Sequence, residues 1–231
     1  VECRQGNLLQ KKGKVFFMNT IKLTVGIPTL PSRGRKFLEP LYAKLMSQIG
    51  DGKDIEVLAI MDNKVISVGR KRTLLFASAS GKYTCIIDDD DDVTDDFVAT
   101  MRSAITSDLD VDVICYNQEA DMNGKKWIVK ANLNHDKSHP FDQMRLDSDG
   151  NTVPCLRPPW HWCAWKTSFA RQFPFGDSNT QEDTVFVKQA INQAKTQLVL
   201  DKTLCLYRWS PSVSQAPFGN ISPESVPLVR I

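Results

Sequence analysis

Three apolar, β-branched runs alternate with two stretches of helical character, and this alternation constrains the fold more than any other feature of the chain. The runs are IKLTVGI (21 to 27), DIEVLAIMD (54 to 62) and KYTCIID (82 to 88). Between the first two lies KFLEPLYAKLMSQIG, where Leu38, Leu41, Leu45 and Ile49 recur at helical spacing. Pro40 fits only the first turn of that helix, and Gly50 can stop it. GRKRTLLFASAS supplies the second helix. Continuous apolar strands are buried on both faces, so the order βαβαβ predicts an α/β fold. Its core is an open, mostly parallel Rossmann-like sheet with right-handed crossovers and flanking helices.

The second half reads as a smaller mixed or antiparallel part. Thr94 is placed to cap a helix, with Asp95 and Asp96 in its first turn and Phe97, Met101 and Ile105 on its inner face. VDVICYNQEADMNGKKWIVKANL predicts two strands joined around Asn123 and Gly124. Residues 133 to 158 look like a long loop or insertion. WHWCAWK then reads as a strand, EDTVFVKQAINQAK as a helix with Val185, Ala190, Ile191 and Ala194 on one side, and TLCLYRWS as the final strand. Met18 stands just before the first strand. The polar, unpatterned residues 1 to 17 are therefore expected to be a dispensable, flexible or non-native N-terminal extension. The boundaries drawn are 18 to 120, 121 to 215, and a tail from 216 to 231.

A chain of 231 residues with 42% hydrophobic content can bury one large core. Its 29 basic and 27 acidic residues nearly cancel, which excludes a strongly basic nucleic-acid binder and an acidic tail. The six cysteines include no CxxC pair, and several lie in strand-like runs. Buried thiols in a reducing cytoplasm follow. No apolar stretch is long enough for a membrane span, and the N-terminus lacks the apolar core of a signal peptide.

In an open parallel sheet, ligands bind beyond the carboxyl ends of the strands. Thr29, Asp62 and the run Asp88 to Asp92 each follow a strand, so three distant segments converge on one rim. Five consecutive carboxylates repel one another, and positive charge is expected among them. Asp88 and Asp90, two residues apart, can reach the same side of an extended strand end. Hard oxygen ligands of this kind suit Mg²⁺ or Mn²⁺, which would clamp a diphosphate. A solvated acidic turn is the usual meaning of a charge run, but the position at the end of a buried strand favours a site.

LTVGIPTLPSR, VLAIMDN, VGRKRTLLFASASGKYTCIIDDDDD and QEDTVFVKQA occur in this order. Together they resemble the successive signatures of family 2 glycosyltransferases with the GT-A fold, especially short phage-type members, over roughly residues 20 to 215. The most specific block is Arg72, then Gly81 and Tyr83, then Asp88 to Asp91. The resemblance implies a metal-dependent, inverting transfer of a sugar from a nucleotide-diphosphate donor to an acceptor hydroxyl. Residues 18 to 120 would bind the donor, and 121 to 215 would bind the acceptor and carry catalysis. Pro28, Thr29 and Asp62 would lie near the base, Asp88 near the ribose, and Lys71 and Arg72 near the nucleotide or diphosphate. Asp90, with Asp88, would hold the metal, and the fifth aspartate leaves Asp89 and Asp91 as alternatives. His161 would approach the metal from the distal half. Asp183 would be the base, with Glu182 binding acceptor or orienting Asp183. Arg208 would meet a phosphate, or else make a surface ion pair or stack on Trp209.

RPPWHWCAWK holds three of the five tryptophans. Trp160, Trp162 and Trp165 could each be core aromatics, and as a group they suggest an acceptor platform. His135 and His139 lie in the loop-like stretch and take no ligand role. Acceptors in view are a glycan, a protein or a modified DNA base, in the host cytoplasm if the chain is phage-encoded. Two other classes compete. A metal-dependent nucleotidyltransferase would use the same aspartates but does not predict Glu182 and Asp183 at a helix start. A non-catalytic metal- or nucleotide-binding module is the other class; to hold Ca²⁺ it would need a spaced ligand loop with a glycine, which the run lacks.

Overall fold

A computed structural model of the chain describes residues 21–122, 124–135, 145–146, 149, 152–209 and 228–230. The elements run β1 (Leu23–Thr29), α1 (Glu39–Ile49), β2 (Ile55–Met61), α2 (Val68–Ser78), β3 (Tyr83–Ile86), β4 (Asp92–Val93) and α3 (Phe97–Ala104). They continue with β5 (Val113–Met122), β6 (Lys125–Ala131), β7 (Arg145–Leu146), β8 (Thr152–Val153), β9 (Cys155–Arg157), β10 (Ala164–Lys166), α4 (Thr167–Ala170), α5 (Glu182–Gln193), β11 (Gln197–Trp209) and β12 (Leu228–Arg230).

The main sheet follows the order β12-β2-β1-β3-β10-β5-β11-β4, with β6 beside β5 and β9 beside β6. Its centre is the expected parallel trio, in which Val25 aligns with Val57 on one side and Cys85 on the other. The long β5 and β11 pairing is also parallel, from Val113 opposite Gln197 to Met122 opposite Trp209. Antiparallel joins lie at β10, β4, β6 and β12. The short β10 thus bridges the two parallel blocks and sets the second half beside β3. Leu23, Val25 and Ile27 of β1 are wholly buried, as expected for a strand covered on both faces. Each such side chain contributes about 1.5–3 kcal/mol of burial free energy.

Several local expectations are corrected by tertiary pairing. Thr94 does not cap α3, which begins at Phe97. Asp92–Val93 is instead drawn into the sheet against β11, and the Thr94 amide donates to the Leu204 carbonyl (3.1 Å). WHWCAWK is a strand only from Ala164, because Trp160 to Cys163 close a turn in which the Cys163 amide donates to the Trp160 carbonyl (3.0 Å). The stretch 133 to 158 holds the β7 and β8 pair, and also β9, which aligns in parallel with β6. Leu228–Arg230, in the expected tail, pairs with β2. Residues 1 to 17, Met18 and His139 lie outside the described residues, as does Asn123, although the hairpin it was expected to turn is present. Among the described residues five cysteines are free and buried, and no helix is long and apolar enough to cross a membrane.

Candidate active site

The carboxyl ends of β1, β2 and β3 deliver Thr29, Asp62 and the aspartate run to one rim, and α2 supplies the cations that meet Asp62 and Asp88. Ser67 caps α2, its hydroxyl accepting from the Arg70 amide (3.0 Å). Lys71 and Arg72 follow within the first turns and are both buried. Lys71 makes an ionic contact with Asp62, and its ammonium donates to the Thr29 carbonyl (2.8 Å). The second oxygen of Asp62 accepts from the amides of Val65 (2.5 Å) and Ile66 (2.8 Å). This knot locks the loop after β2 to the end of β1, and Pro28 is buried beside it within β1. Arg72 points the other way. One of its terminal nitrogens reaches both oxygens of Asp88 (2.8 and 2.7 Å), and the other meets Glu182.

Cations meet four of the five aspartates, Arg72 at Asp88, Arg33 at Asp89 and Asp90, and Arg208 with Lys44 at Asp92. Asp89 accepts from the Thr29 hydroxyl (2.6 Å) and is gripped by Arg33 (2.6 Å), which also contacts Asp90 (3.0 Å). Asp91 accepts the Arg208 amide (3.0 Å), and Asp92 pairs with the Arg208 guanidinium (2.7 Å). Sequence reasoning gave Arg33 no role. Its signal was the PSR that follows the first strand, which forms a tight turn over Pro31–Arg33 and aims the guanidinium back at the run.

Glu182 and Asp183 open α5, as expected. Three features hold that helix end against α2. A Cβ on Gly69 would fall 1.7 Å from the Gly176 carbonyl oxygen, so only glycine lets α2 come this close. Phe175 and Phe186 stack at 4.5 Å, and Phe76 of α2 lies 5.5 Å from Phe186, each pair contributing about 0.5–1.5 kcal/mol. Gln181 takes a left-handed conformation (φ 60°) just before the acidic pair. Such strain costs on the order of 1–3 kcal/mol in a non-glycine residue and concentrates at functional sites. His161 is placed beside the aspartates because its carbonyl accepts from the Ile86 amide (2.9 Å) at the end of β3. Its ring nitrogens lie 4.0 Å from Asp88 and 3.9 Å from Asp183, beyond hydrogen-bond reach.

These groups line a cleft of about 780 Å³. Arg72, Asp88, Asp91, His161, Glu182 and Asp183 line it together with Lys125, Trp127, Arg157, Trp160, Trp162 and Tyr207. Trp160 and Trp162 are both core-packed and cleft-lining, so the two expectations for them coincide. Trp165 is wholly buried and belongs to the core. Pro28, Thr29, Asp62, Lys71, Asp90 and Arg208 are not among the residues that line this cleft. Trp127, Arg157 and Tyr207 were missed, since strand parity decides which residues of β6 and β11 face inward and the pairing of β9 with β6 brings in Arg157. A larger cleft of about 1010 Å³ sits at the amino ends of the strands, around Lys22, Lys53 and Lys82. The topology favours the carboxyl-end cleft as the site.

Electrostatics divide the acids by task. Burial alone would raise Asp88, but the Arg72 guanidinium holds it below the usual carboxylate range. Burial pushes Asp183 and Glu182 upward, outweighing Arg72. Burial and the neighbouring Asp88 also raise Asp90 and Asp91. Burial, reinforced by Arg72, lowers His161 to about 3, so its ring is neutral at ordinary pH. Among the described residues no three His, Cys, Asp or Glu side chains are grouped to hold an ion unaided. The neighbouring carboxylates of Asp88 and Asp90 nonetheless fit a hard divalent cation that takes one or two carboxylates and completes its shell with phosphate oxygens.

No family model and no curated protein matches the chain. Solved structures do. S. aureus TarS 1-349 in complex with UDP-GlcNAc is 16% identical with a TM-score of 0.59, over 84% of this chain and 62% of that one. The same TarS fragment in complex with UDP is 18% identical with a TM-score of 0.58, over 82% of this chain and 61% of that one. The chain therefore spans about 60% of that fragment's length. The fold it shares with TarS is that of GT-A glycosyltransferases.

Proposed function

We propose that the protein transfers a sugar from a nucleotide-diphosphate donor to an acceptor hydroxyl, inverting the anomeric carbon. The observation that carries this is the Arg72 bridge. A single guanidinium ties Asp88, at the end of β3, to Glu182, beside Asp183 at the start of α5, on the wall of a cleft. The GT-A fold, seen in TarS with UDP-GlcNAc, supports the donor class.

In this mechanism the base lies over the rim of Pro28, Thr29 and Asp62, with Lys71 holding Asp62 and the rim in shape. Asp88 meets the ribose, and Arg72 and Arg208 face the diphosphate. A divalent ion held by Asp90 with Asp88, which His161 would approach, would supply positive charge to the departing diphosphate. Asp183 removes the proton of the acceptor hydroxyl as its oxygen attacks the anomeric carbon, and the bond to the diphosphate oxygen breaks with its electron pair. The raised affinity of Asp183 for protons makes it a stronger base than an exposed aspartate. Glu182, neutralised by Arg72, orients that base. Trp160 and Trp162 offer faces on which an acceptor glycan, protein residue or modified DNA base can stack.

The test is single-turnover transfer from UDP- and GDP-sugars with Mn²⁺. Asp183→Asn should keep donor affinity and lose transfer by roughly two to four orders of magnitude. Near-normal transfer by that variant would remove Asp183 as the base. A product of retained configuration by NMR would remove the one-step inversion.

A further inference from the structure

The aspartates of the run are not equally available to an ion, and Arg33 makes the difference. The Asp91 amide donates to the Asp88 carbonyl (3.0 Å), so the run turns and its successive carboxylates meet different neighbours. Asp89 is only 4% exposed, and both of its oxygens are engaged. One accepts from Nη2 (2.6 Å) and Nε (2.9 Å) of Arg33. The other accepts from the same Nε (3.0 Å) and from the Thr29 hydroxyl (2.6 Å). Asp90 is 20% exposed and meets Arg33 Nη2 through one oxygen (3.0 Å). Arg33 thus grips Asp89 with two nitrogens and touches Asp90 with one of them. Local structure sets the guanidinium in place. The tight turn over Pro31–Arg33 runs directly into a π-turn over Gly34–Leu38, a rare conformation that is frequent at functional sites. Phe37, four residues beyond Arg33, lies under the guanidinium at 4.5 Å.

We propose that Arg33 is a positioning residue that withholds Asp89 from the divalent ion, leaves Asp90 as the ligand, and sets how tightly the ion is held. The inference rests on the reading in which Asp90 with Asp88 holds a divalent ion, and it deepens that reading by assigning the selection among the aspartates to one side chain. Withdrawing Asp89 from Arg33 would strand a buried carboxylate, which is strongly unfavourable. Releasing Asp90 gives up one contact between two partly exposed groups, which costs little. The ion therefore competes with Arg33 for Asp90 and leaves the grip on Asp89 intact. The affinity for the ion is lower than the carboxylates alone would give.

The probe is Mn²⁺ alone, with the free ion counted by electron paramagnetic resonance as it is titrated into the full chain at physiological salt. Arg33→Gln should tighten Mn²⁺ binding roughly tenfold, because Asp90 loses its competing cation. Since that variant leaves Asp89 with only Thr29 and can lose stability, the comparison is repeated in an Asp89→Asn background, where no buried charge is stranded. Arg33→Gln with Asp89→Asn should bind Mn²⁺ roughly tenfold more tightly than Asp89→Asn alone. Lys44→Gln removes the same charge from the neighbouring contacts with Asp92 and Asp95, and should change Mn²⁺ affinity by no more than about twofold. Unchanged or weaker Mn²⁺ binding on loss of Arg33 in both backgrounds would overturn the proposal. An equal gain from Lys44→Gln would reduce the effect to net charge and overturn it as well. Mn²⁺ binding that survives Asp90→Asn would strike the metal assignment itself and the proposal with it, whereas binding that needs Asp90 but ignores Arg33 would strike the proposal alone.

Discussion

Lys71 and Arg72 are adjacent on one helix, both are buried, and both are paired with acids, yet they belong to different parts of the molecule. Lys71 and Asp62 are sealed, with side chains only 3% and 2% exposed, and their remaining contacts are to backbone groups of the chain. Arg72 is equally buried, but its partner Asp88 is 28% exposed toward the cleft. A step of about 100° around an α-helix separates a cation that closes the structure from one that serves a surface. Burial of a charged residue near a candidate site is therefore no measure of its chemical role. What its partner faces is the better guide.

Breaking each pair separates the two roles. The largest loss of stability is expected for Lys71→Met, which strands the dry Asp62 carboxylate and should cost about 3–5 kcal/mol in chemical denaturation. Adding Asp62→Asn should recover most of that loss, because neither charge then remains buried. A single variant of unchanged stability would mean that the knot under β1 and β2 contributes nothing.

Arg72→Met should cost less, about 1–3 kcal/mol, because Asp88 can turn to water and Glu182 already holds protons more tightly than an exposed glutamate. Its functional effect should be the greater one, with UDP affinity by calorimetry falling roughly tenfold or more while Lys71→Met retains it. If the nucleotide loss followed Lys71 instead, the assignment of sealed and open pairs would be reversed.

At neutral pH the smallest effect is expected for His161, which stands on the open side and whose contribution changes only on acidification. Its folded pKa, about 3, lies below the ordinary value of 6.5, so between those values the unfolded chain binds a proton that the native state refuses. Stability from this residue is complete above pH 6.5 and falls on acidification toward pH 3, by at most about 1.4 kcal/mol per pH unit. The raised carboxylates Asp90, Asp91, Asp183 and Glu182 act in the opposite sense. The difference between the parent and His161→Gln, measured in metal-free buffer, isolates the histidine. Identical pH profiles would show that His161 is hydrated and protonates normally.

The α/β class, the parallel trio and the acidic rim were legible in the chain, because strand periodicity and the residues that end strands are local properties. The start of α5 at Glu182, and Gly50 at the end of α1, were legible for the same reason. Asp88, Asp183, Arg72 and His161 could be named as candidates, and the fold brings all four to one cleft. The partner of each aspartate was not legible. Asp88 to Asp92 are chemically identical in a sequence, and only the approach of Arg33, Arg72 and Arg208 from separate elements distinguishes them. Thr94 lost its capping role to a strand arriving more than a hundred residues later, and Trp127 and Arg157 gained theirs from the parity of β6 and its pairing with β9. A strand ends where its own residues dictate, but which side chains face one another across a cleft depends on the register and crossing of distant elements. That was decided by tertiary packing.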